Sequence, residues 1–215
     1  MVSFSRAVGA ACVIGAATAQ WGHGWGNKAG HLPIVDLGYE LHQAAYFNST
    51  GGFYNFSNIR YAAPPLGNLR FAAPQPPETD RSSIQTGSVG RICPQADPAW
   101  LLIAEKYIPE YLAGQTVFNE SSFANLTSSS SGSVSIDPRT TEDCLFLDVI
   151  VPQDIFKNAG HDHGAPVLVW IYGGGYTGGS KDGSGNPAGL IARSEANNSP
   201  GVIVRPAQNL NQRHR

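Results

Sequence analysis

The stretch VLVWIYGGGY, residues 167–176, decides the fold because it joins a short apolar run directly to three consecutive glycines. A run of six aliphatic and aromatic residues predicts a β-strand that is buried on both faces of a sheet. Glycine lacks a Cβ atom, so three in a row let backbone N–H groups converge on one point. Converging amides can stabilise an oxyanion during acyl transfer. The stretch therefore predicts a strand followed by an oxyanion-binding turn.

On the residues alone, these glycines could also form a phosphate-binding loop or a purely structural turn. The spacing Gly-x-Gly-x-x-Gly matches at Gly173, Gly175 and Gly178, but no acidic residue ends a second strand about twenty positions on. Lys181 follows Ser180, so the Gly-Lys-Ser/Thr of a P-loop is absent. We favour the oxyanion turn over both alternatives.

The remaining apolar patterns predict an α/β fold. Residues 144–151 (CLFLDVIV) and 202–204 (VIV) are short, near-continuous apolar runs, which are typical of buried strands. Partial alternation over residues 33–61 predicts a β-hairpin or a small antiparallel sheet. We also predict a helix with Asp97 as N-cap and Pro98 at its first position, ended or kinked at Pro109.

The first 19 residues predict a secretory signal peptide. Arg6 supplies the positive charge, residues 7–17 are apolar and uncharged, and Ala17-Thr18-Ala19 fits the small-x-small cleavage pattern. An amino-terminal membrane anchor is the alternative, but this apolar run is too short to cross a bilayer as a helix. We expect a secreted, extracellular protein with no transmembrane segment.

Cysteines and glycosylation sequons agree with export. Cys12 lies in the signal, which leaves Cys93 and Cys144 either as a disulfide or as two buried free thiols. Five sequons predict N-glycosylation, although Asn55 lies among aromatic residues and a proline follows the last sequon. The five asparagines are Asn48, Asn55, Asn119, Asn125 and Asn197.

Composition argues against two classes of partner. The net charge is -2 and no basic patch is present, so we expect no nucleic-acid binding. His161-x-His163 and His23 lack the cysteine or carboxylate companions of a catalytic zinc site. We therefore expect no metal and no cofactor.

Three segments together resemble the type-B carboxylesterase/lipase family, which includes cholinesterases and secreted fungal lipases. They are NIRYAAPPLGNLRF at residues 58–71, EDCLFLDV at 142–149 and WIYGGGY at 170–176. Their order and approximate spacing agree with the family over about residues 33–204. The resemblance implies an incomplete α/β-hydrolase fold: a small amino-terminal antiparallel sheet and the first strands of the central mixed sheet.

The resemblance also implies roles for individual residues. Cys93 and Cys144 resemble the first disulfide of the family, and Arg70 and Glu142 resemble an ion pair that ties the early segment to the strand region. Gly174 and Gly175 resemble the residues whose amides point into the oxyanion hole. Tyr176 lies where the family has an aromatic residue near the acyl pocket, although a packing role is as well supported.

The implied activity is hydrolysis of small-molecule or lipid carboxylic esters by serine acyl transfer. No Gly-x-Ser-x-Gly frame occurs in the sequence, and the family places its nucleophile, acid and histidine further along the chain. We therefore predict an inactive chain with an exposed apolar sheet edge and poor solubility. A non-catalytic binding or adhesion module is the alternative.

The predicted organisation has three parts: the signal at residues 1–19, the amino-terminal part of an esterase domain at 20–204 and an aberrant polar tail at 205–215. The tail lacks hydrophobic periodicity. A truncated gene model, a frameshift or a retained intron would account for it, and a natural short isoform is the alternative.

Overall fold

A computed structural model folds the described residues into two β-sheets, with three α-helices whose bounds are described lying around them. The residues that the structure describes are 31–96, 98–114, 121, 137–161, 164–175, 177–183 and 185–207.

The smaller sheet has three strands in the order β1-β2-β5. Strands β1 (Ile34–Asp36) and β2 (Leu41–Gln43) pair antiparallel, while β5 (Ile84–Gln85) pairs parallel with β2. The antiparallel pairing predicted near the start of the domain is therefore confirmed. The third strand was not visible in the sequence, because two residues carry no periodicity.

The larger sheet has five strands in the order β3-β4-β6-β8-β7. These are β3 (Tyr46–Asn48), β4 (Phe53–Arg60), β6 (Phe146–Pro152), β7 (Val167–Val169) and β8 (Val202–Pro206). Only β7 and β8 pair in parallel, so the sheet is mixed. The residues of the predicted amino-terminal hairpin are thus divided between the two sheets. Strands β1 and β2 belong to the small sheet, and β3 and β4 pair in the large one across the turn after Asn48.

The helices are short and lie outside the sheets. A 3-10 turn spans Gly67–Leu69, and the α-helices are α1 (Ala99–Leu112), α2 (Gln153–Lys157) and α3 (Ala188–Ala196). Within the described residues, no helix is both long and apolar enough to cross a membrane.

Helix α1 differs from its prediction at both ends. It begins at Ala99 with Pro98 as the capping residue, and the expected cap, Asp97, lies outside the described residues. Pro109 neither ends the helix nor stops its hydrogen bonding, because its carbonyl still accepts the N–H of Ala113 at 3.0 Å. A proline inside a helix lacks the N–H donor and its ring crowds the carbonyl four residues earlier, yet this helix continues to Leu112.

The core lies on both faces of β4 and β6. Aromatic and aliphatic side chains of these strands pack against α2, α3 and β8, and burial of such apolar area is the main stabilising term. The buried set is Phe53, Tyr54, Phe56, Ile59, Ile150, Val151, Ile191 and Ile203.

The prediction that β7 is buried on both faces is wrong for this chain. Val167, Leu168 and Val169 are 60%, 45% and 56% exposed, and Trp170 and Ile171 beyond them are exposed too. The physical reason is position: among the described residues β7 is the edge strand, with β8 on one side only and no element that buries either face.

Strand β8 continues beyond residue 204, into residues that were predicted to belong to the polar tail. Arg205 and Pro206 pair with Asp148 and Leu147 on β6. Ala207 is buried, and its N–H bonds to the Phe146 carbonyl at 2.7 Å. Residues 208–215 lie outside the described part of the chain.

Candidate functional site

The glycine-rich turn follows β7 at the exposed end of the large sheet. Tyr172 is buried, whereas Gly173, Gly174 and Gly175 are exposed. The carbonyl of Gly174 accepts the amides of residues 177 and 178, both at 3.0 Å, so the chain folds back on itself. A Cβ on Gly174 would lie 1.7 Å from the Gly178 carbonyl oxygen, and Gly175 has φ +59. Both positions therefore require glycine.

The glycine amides of this turn make no backbone hydrogen bond to any described residue. Among the described residues, no acceptor lies within hydrogen-bonding range of the N–H groups of Gly173, Gly174 or Gly175. Unpaired, solvent-facing backbone donors in consecutive residues can bind an anion or a developing negative oxygen. A phosphate-binding loop typically leads into the N-terminus of a helix. Among the described residues no helix begins directly after this turn, so the geometry gives no specific support to that alternative.

One side of the loop is tied to the chain after Cys93. The side-chain amide of Gln95 donates to the carbonyls of Cys93 at 2.8 Å and Gly179 at 3.0 Å. The backbone N–H of Ala96 donates to the Thr177 carbonyl at 2.8 Å. These contacts hold the returning limb of the turn beside the cysteine segment.

The same limb of the loop ends in a buried ion pair that the sequence did not reveal. Lys181 is 5% exposed, and its Nζ lies 2.7 Å from Oδ1 of Asp148, which is 3% exposed. The same carboxylate accepts the N–H of Asn58 at 2.9 Å and lies 3.5 Å from Arg205. The available signal was one acidic residue within the apolar run of residues 144–151, but its partner could not be identified from spacing.

The two cysteines among the described residues form a disulfide. Cys93 and Cys144 are bonded to each other across 51 residues and are fully buried beside Ala207. Reduced thiols, the alternative left open by the sequence, are therefore not what the structure contains.

Arg70 and Glu142 form an ion pair, and both side chains are largely exposed. A stronger pair, which the sequence did not suggest, lies nearby: Arg60 binds Asp143 through two hydrogen bonds of 2.6 and 2.9 Å. The Arg60 guanidinium also stacks 4.3 Å from the centre of the Phe146 ring. Bidentate geometry and partial burial make this second pair the firmer connection between β4 and the segment before β6.

The sequons divide by accessibility. Asn197 is exposed at the end of α3, and Asn48 is half-buried with its Oδ1 accepting the Gly51 amide at 2.8 Å. Asn55 is buried within β4, and its Nδ2 donates to the sequon serine, Ser57, at 3.0 Å. Asn55 is thus buried, in line with its position among aromatic residues, and glycosylation of the five sequons stays a prediction.

Four other predicted positions fall outside the described residues: Asn119, Asn125, Tyr176 and His163. His161 is exposed, and in the described ranges no three His, Cys, Asp or Glu side chains lie close enough to hold a metal ion.

One cluster has the composition of a catalytic triad but not its geometry. His42 is fully buried, with Nδ1 2.9 Å from Glu40 and Nε2 2.9 Å from the backbone carbonyl of Ser57. The Ser57 hydroxyl instead accepts the Asn55 amide. Both ring nitrogens face oxygen acceptors in the interior, so this histidine cannot serve as a base toward Ser57.

Comparison with known proteins adds three findings. The model of the carboxylesterase family matches residues 42–204. Carboxylesterase patB of Aspergillus clavatus is 46% identical over 83% of this chain and 34% of its own length; carboxylesterase patB of Penicillium expansum is 41% identical over 81% and 33%. The crystal structure of Aspergillus niger EstA superposes with a TM-score of 0.54 at 26% identity, over 82% of this chain and 26% of EstA. The chain thus spans about one third of the length of its curated relatives.

Proposed function

Because the chain belongs to the carboxylesterase family, we propose that it forms the oxyanion-binding part of a carboxylic-ester hydrolase that works by serine acyl transfer. The observation that carries this proposal is the exposed turn in which the amides of Gly173, Gly174 and Gly175 have no acceptor among the described residues. The substrates are small-molecule or lipid esters.

In ester hydrolysis this turn has to stabilise the negative charge that forms on the carbonyl oxygen. When a serine oxygen attacks an ester carbonyl, the carbonyl oxygen becomes negatively charged, and fixed N–H donors lower the barrier by stabilising that charge. The amides of Gly174 and Gly175 supply such donors. A further donor comes from the residue after the nucleophile in this fold type. The serine, acid and base must come from residues other than those described.

The chain as it stands is inactive under this proposal. It has no Gly-x-Ser-x-Gly frame, and His42 of the buried His42–Glu40 pair faces a carbonyl rather than a hydroxyl. We expect the purified chain to hydrolyse a p-nitrophenyl ester no faster than buffer. Turnover that a serine-directed organophosphate abolishes would overturn this part.

The role of the turn is tested in a longer form of this protein that encodes the nucleophile elbow. Genomic sequence downstream with no in-frame or splice-reachable elbow would argue against the enzyme. In an active form, Gly174→Ala should lower kcat roughly 100- to 1000-fold, because the Cβ displaces a donor. Gly189→Ala is the matched control, since its Cβ would meet open space in α3.

We also propose that the protein is secreted. The signal-like residues 1–19 and the buried disulfide support this. Mature protein recovered from the medium should begin at Gln20 and should shift in mass on deglycosylation. Intracellular protein that retains residues 1–19 would contradict it.

A non-catalytic binding or adhesion module is the second candidate, favoured by the missing nucleophile frame. A transcript that encodes serine in the elbow would exclude it. A complete transcript without that serine, whose product binds a protein partner but no ester, would establish it.

A further inference from the structure

We infer that Lys181 is a positioning residue: its buried ion pair with Asp148 fixes the glycine-rich turn on the central strand β6. The inference depends on the proposed function only where it predicts an effect of Lys181 on catalysis. The contacts themselves are independent of it.

The described residues of the turn offer few side chains that could hold it by packing. Five of the seven residues from Gly173 to Gly179 are glycines, which have no side chain and the largest backbone freedom. The segment is therefore fixed by the backbone contacts of its returning limb with Gln95 and Ala96 and by its flanks. The buried flanking residues are Tyr172 on one side and Lys181 on the other.

Asp148 is a fixed anchor rather than a surface acid. It lies in the middle of β6, where it pairs with Arg205 on β8. Its Oδ1 accepts the Asn58 N–H at 2.9 Å, at the place where β4 shifts register. Lys181 adds a 2.7 Å contact to the same oxygen. One carboxylate thus connects three neighbouring strands with the end of the turn.

Net stability does not explain this pair. Removing two charges from water is costly, and well-packed apolar residues usually stabilise a core at least as well. A buried pair adds a constraint on position: the charge of Lys181 is compensated only when its Nζ reaches the Asp148 carboxylate on β6. Arg205 Nε, which has no partner among the described residues, shows that this cluster is not arranged for complete hydrogen bonding. The pair is therefore suited to selecting one position of the turn.

Hydrogen exchange of the full 215-residue chain tests the inference without any ester. The Gly174 carbonyl protects the amides of Thr177 and Gly178 when the turn is closed. Lys181→Met should speed their exchange at least tenfold, with β4 and β6 amides changed less than twofold. Arg139→Met is the matched control: it breaks an exposed pair with Asp182, the next residue, and should leave exchange unchanged.

A second variant separates loss of position from loss of fold. Lys181→Met combined with Asp148→Asn removes both partners and keeps an acceptor for Asn58. It should reproduce the exchange change in the turn. The inference is overturned if neither variant affects the turn, if β4, β6 and β8 exchange faster to the same extent, or if the turn of the unmodified chain is unprotected.

In a longer, active form, Lys181→Met should lower kcat at least tenfold while KM changes less than twofold, because only the transition state uses the turn amides. A rise in KM alone would overturn the positioning role. If no form hydrolyses esters, the proposed function fails, while the exchange experiment still decides whether Lys181 holds the turn.

Discussion

The side-chain amide of Gln95 lies within 3.0 Å of the Gly179 carbonyl and 2.8 Å of the Cys93 carbonyl, so one residue connects the disulfide to the glycine-rich loop. Two backbone acceptors that the sequence separates by more than eighty positions share this donor group. Gln95 therefore links the disulfide segment directly to the candidate site.

Replacing Gln95 tests this connection. Gln95→Met removes the shared donor and leaves two carbonyls short of a partner, which should lower the free energy of unfolding by about 1–2 kcal/mol. Urea denaturation measures the change. Gln85→Met is the control: the Gln85 side chain hydrogen-bonds to the exposed Ser83 hydroxyl, so its replacement should change the free energy of unfolding by less than about 0.5 kcal/mol. Equal effects of both substitutions would contradict the connection.

The two arginine pairs should differ in energy. Arg60→Met should cost about 2 kcal/mol of unfolding free energy, because a bidentate, partly buried pair and a stacked ring are lost while Arg91 remains 3.4 Å from Asp143. Arg70→Met should cost less than about 1 kcal/mol, since its pair with Glu142 is solvent-exposed. Thermal or denaturant unfolding measures both losses. A larger loss for Arg70→Met than for Arg60→Met would contradict the expected order.

Two tyrosines should make the fold sensitive to alkali. Burial, and then the neighbouring Glu40, raises the pKa of Tyr39 to about 12; burial, and then Tyr172, raises the pKa of Tyr61 to about 12. The folded state thus retains phenol protons that an unfolded chain releases near pH 10. Their stabilising contribution is complete below pH 10 and is lost as the pH rises toward 12.

Ultraviolet absorbance of tyrosinate follows this titration. Tyr61→Phe keeps the ring but removes one late-titrating group, together with the 2.6 Å hydrogen bond to the Ala207 carbonyl. It should reduce the fall in stability between pH 10 and 12. All tyrosines titrating together near pH 10 in the folded protein would disprove the effect.

The uncovered edge strand should promote self-association. Val167, Leu168 and Val169 expose apolar side chains on both faces of β7, and one edge of this strand is unpaired. Val169→Lys should reduce concentration-dependent association in sedimentation velocity. Val89→Lys is the control, because Val89 is exposed outside both sheets. A monomer at every concentration, or equal improvement by both lysines, would count against the edge strand.

Local signals in the sequence predicted the main strands and the glycine turn. Apolar runs located β6 and β8 to within two residues at their starts, and consecutive glycines located the turn at Gly173–Gly175, because strand burial and backbone freedom are properties of neighbouring residues. The apolar run alone predicted a β7 buried on both faces, and the exposed apolar edge was predicted only through the incomplete fold that the family resemblance implies, since burial depends on what covers a strand and not on its composition.

Long-range electrostatic partners could not be predicted in the same way. Lys181 reaches Asp148 across 33 positions, and Arg60 reaches Asp143 across 83. No spacing rule links residues that meet only after β4, β6 and β8 have paired. The Arg70–Glu142 pair was anticipated through a family resemblance rather than through physical inference from the residues.

The disulfide also bears on how quickly the chain can fold. The most extensive pairing in the molecule joins β4, which ends at Arg60, to β6, which starts at Phe146, and most of the intervening chain lies between Cys93 and Cys144. Once the cysteines are linked, their 51-residue separation no longer lengthens the loop that must close for β4 to meet β6. The loop-closure entropy model then gives about a fourfold gain in the probability that these two strands meet. A chain that is oxidised before the sheet forms should therefore pair β4 with β6 about four times more readily than a reduced chain.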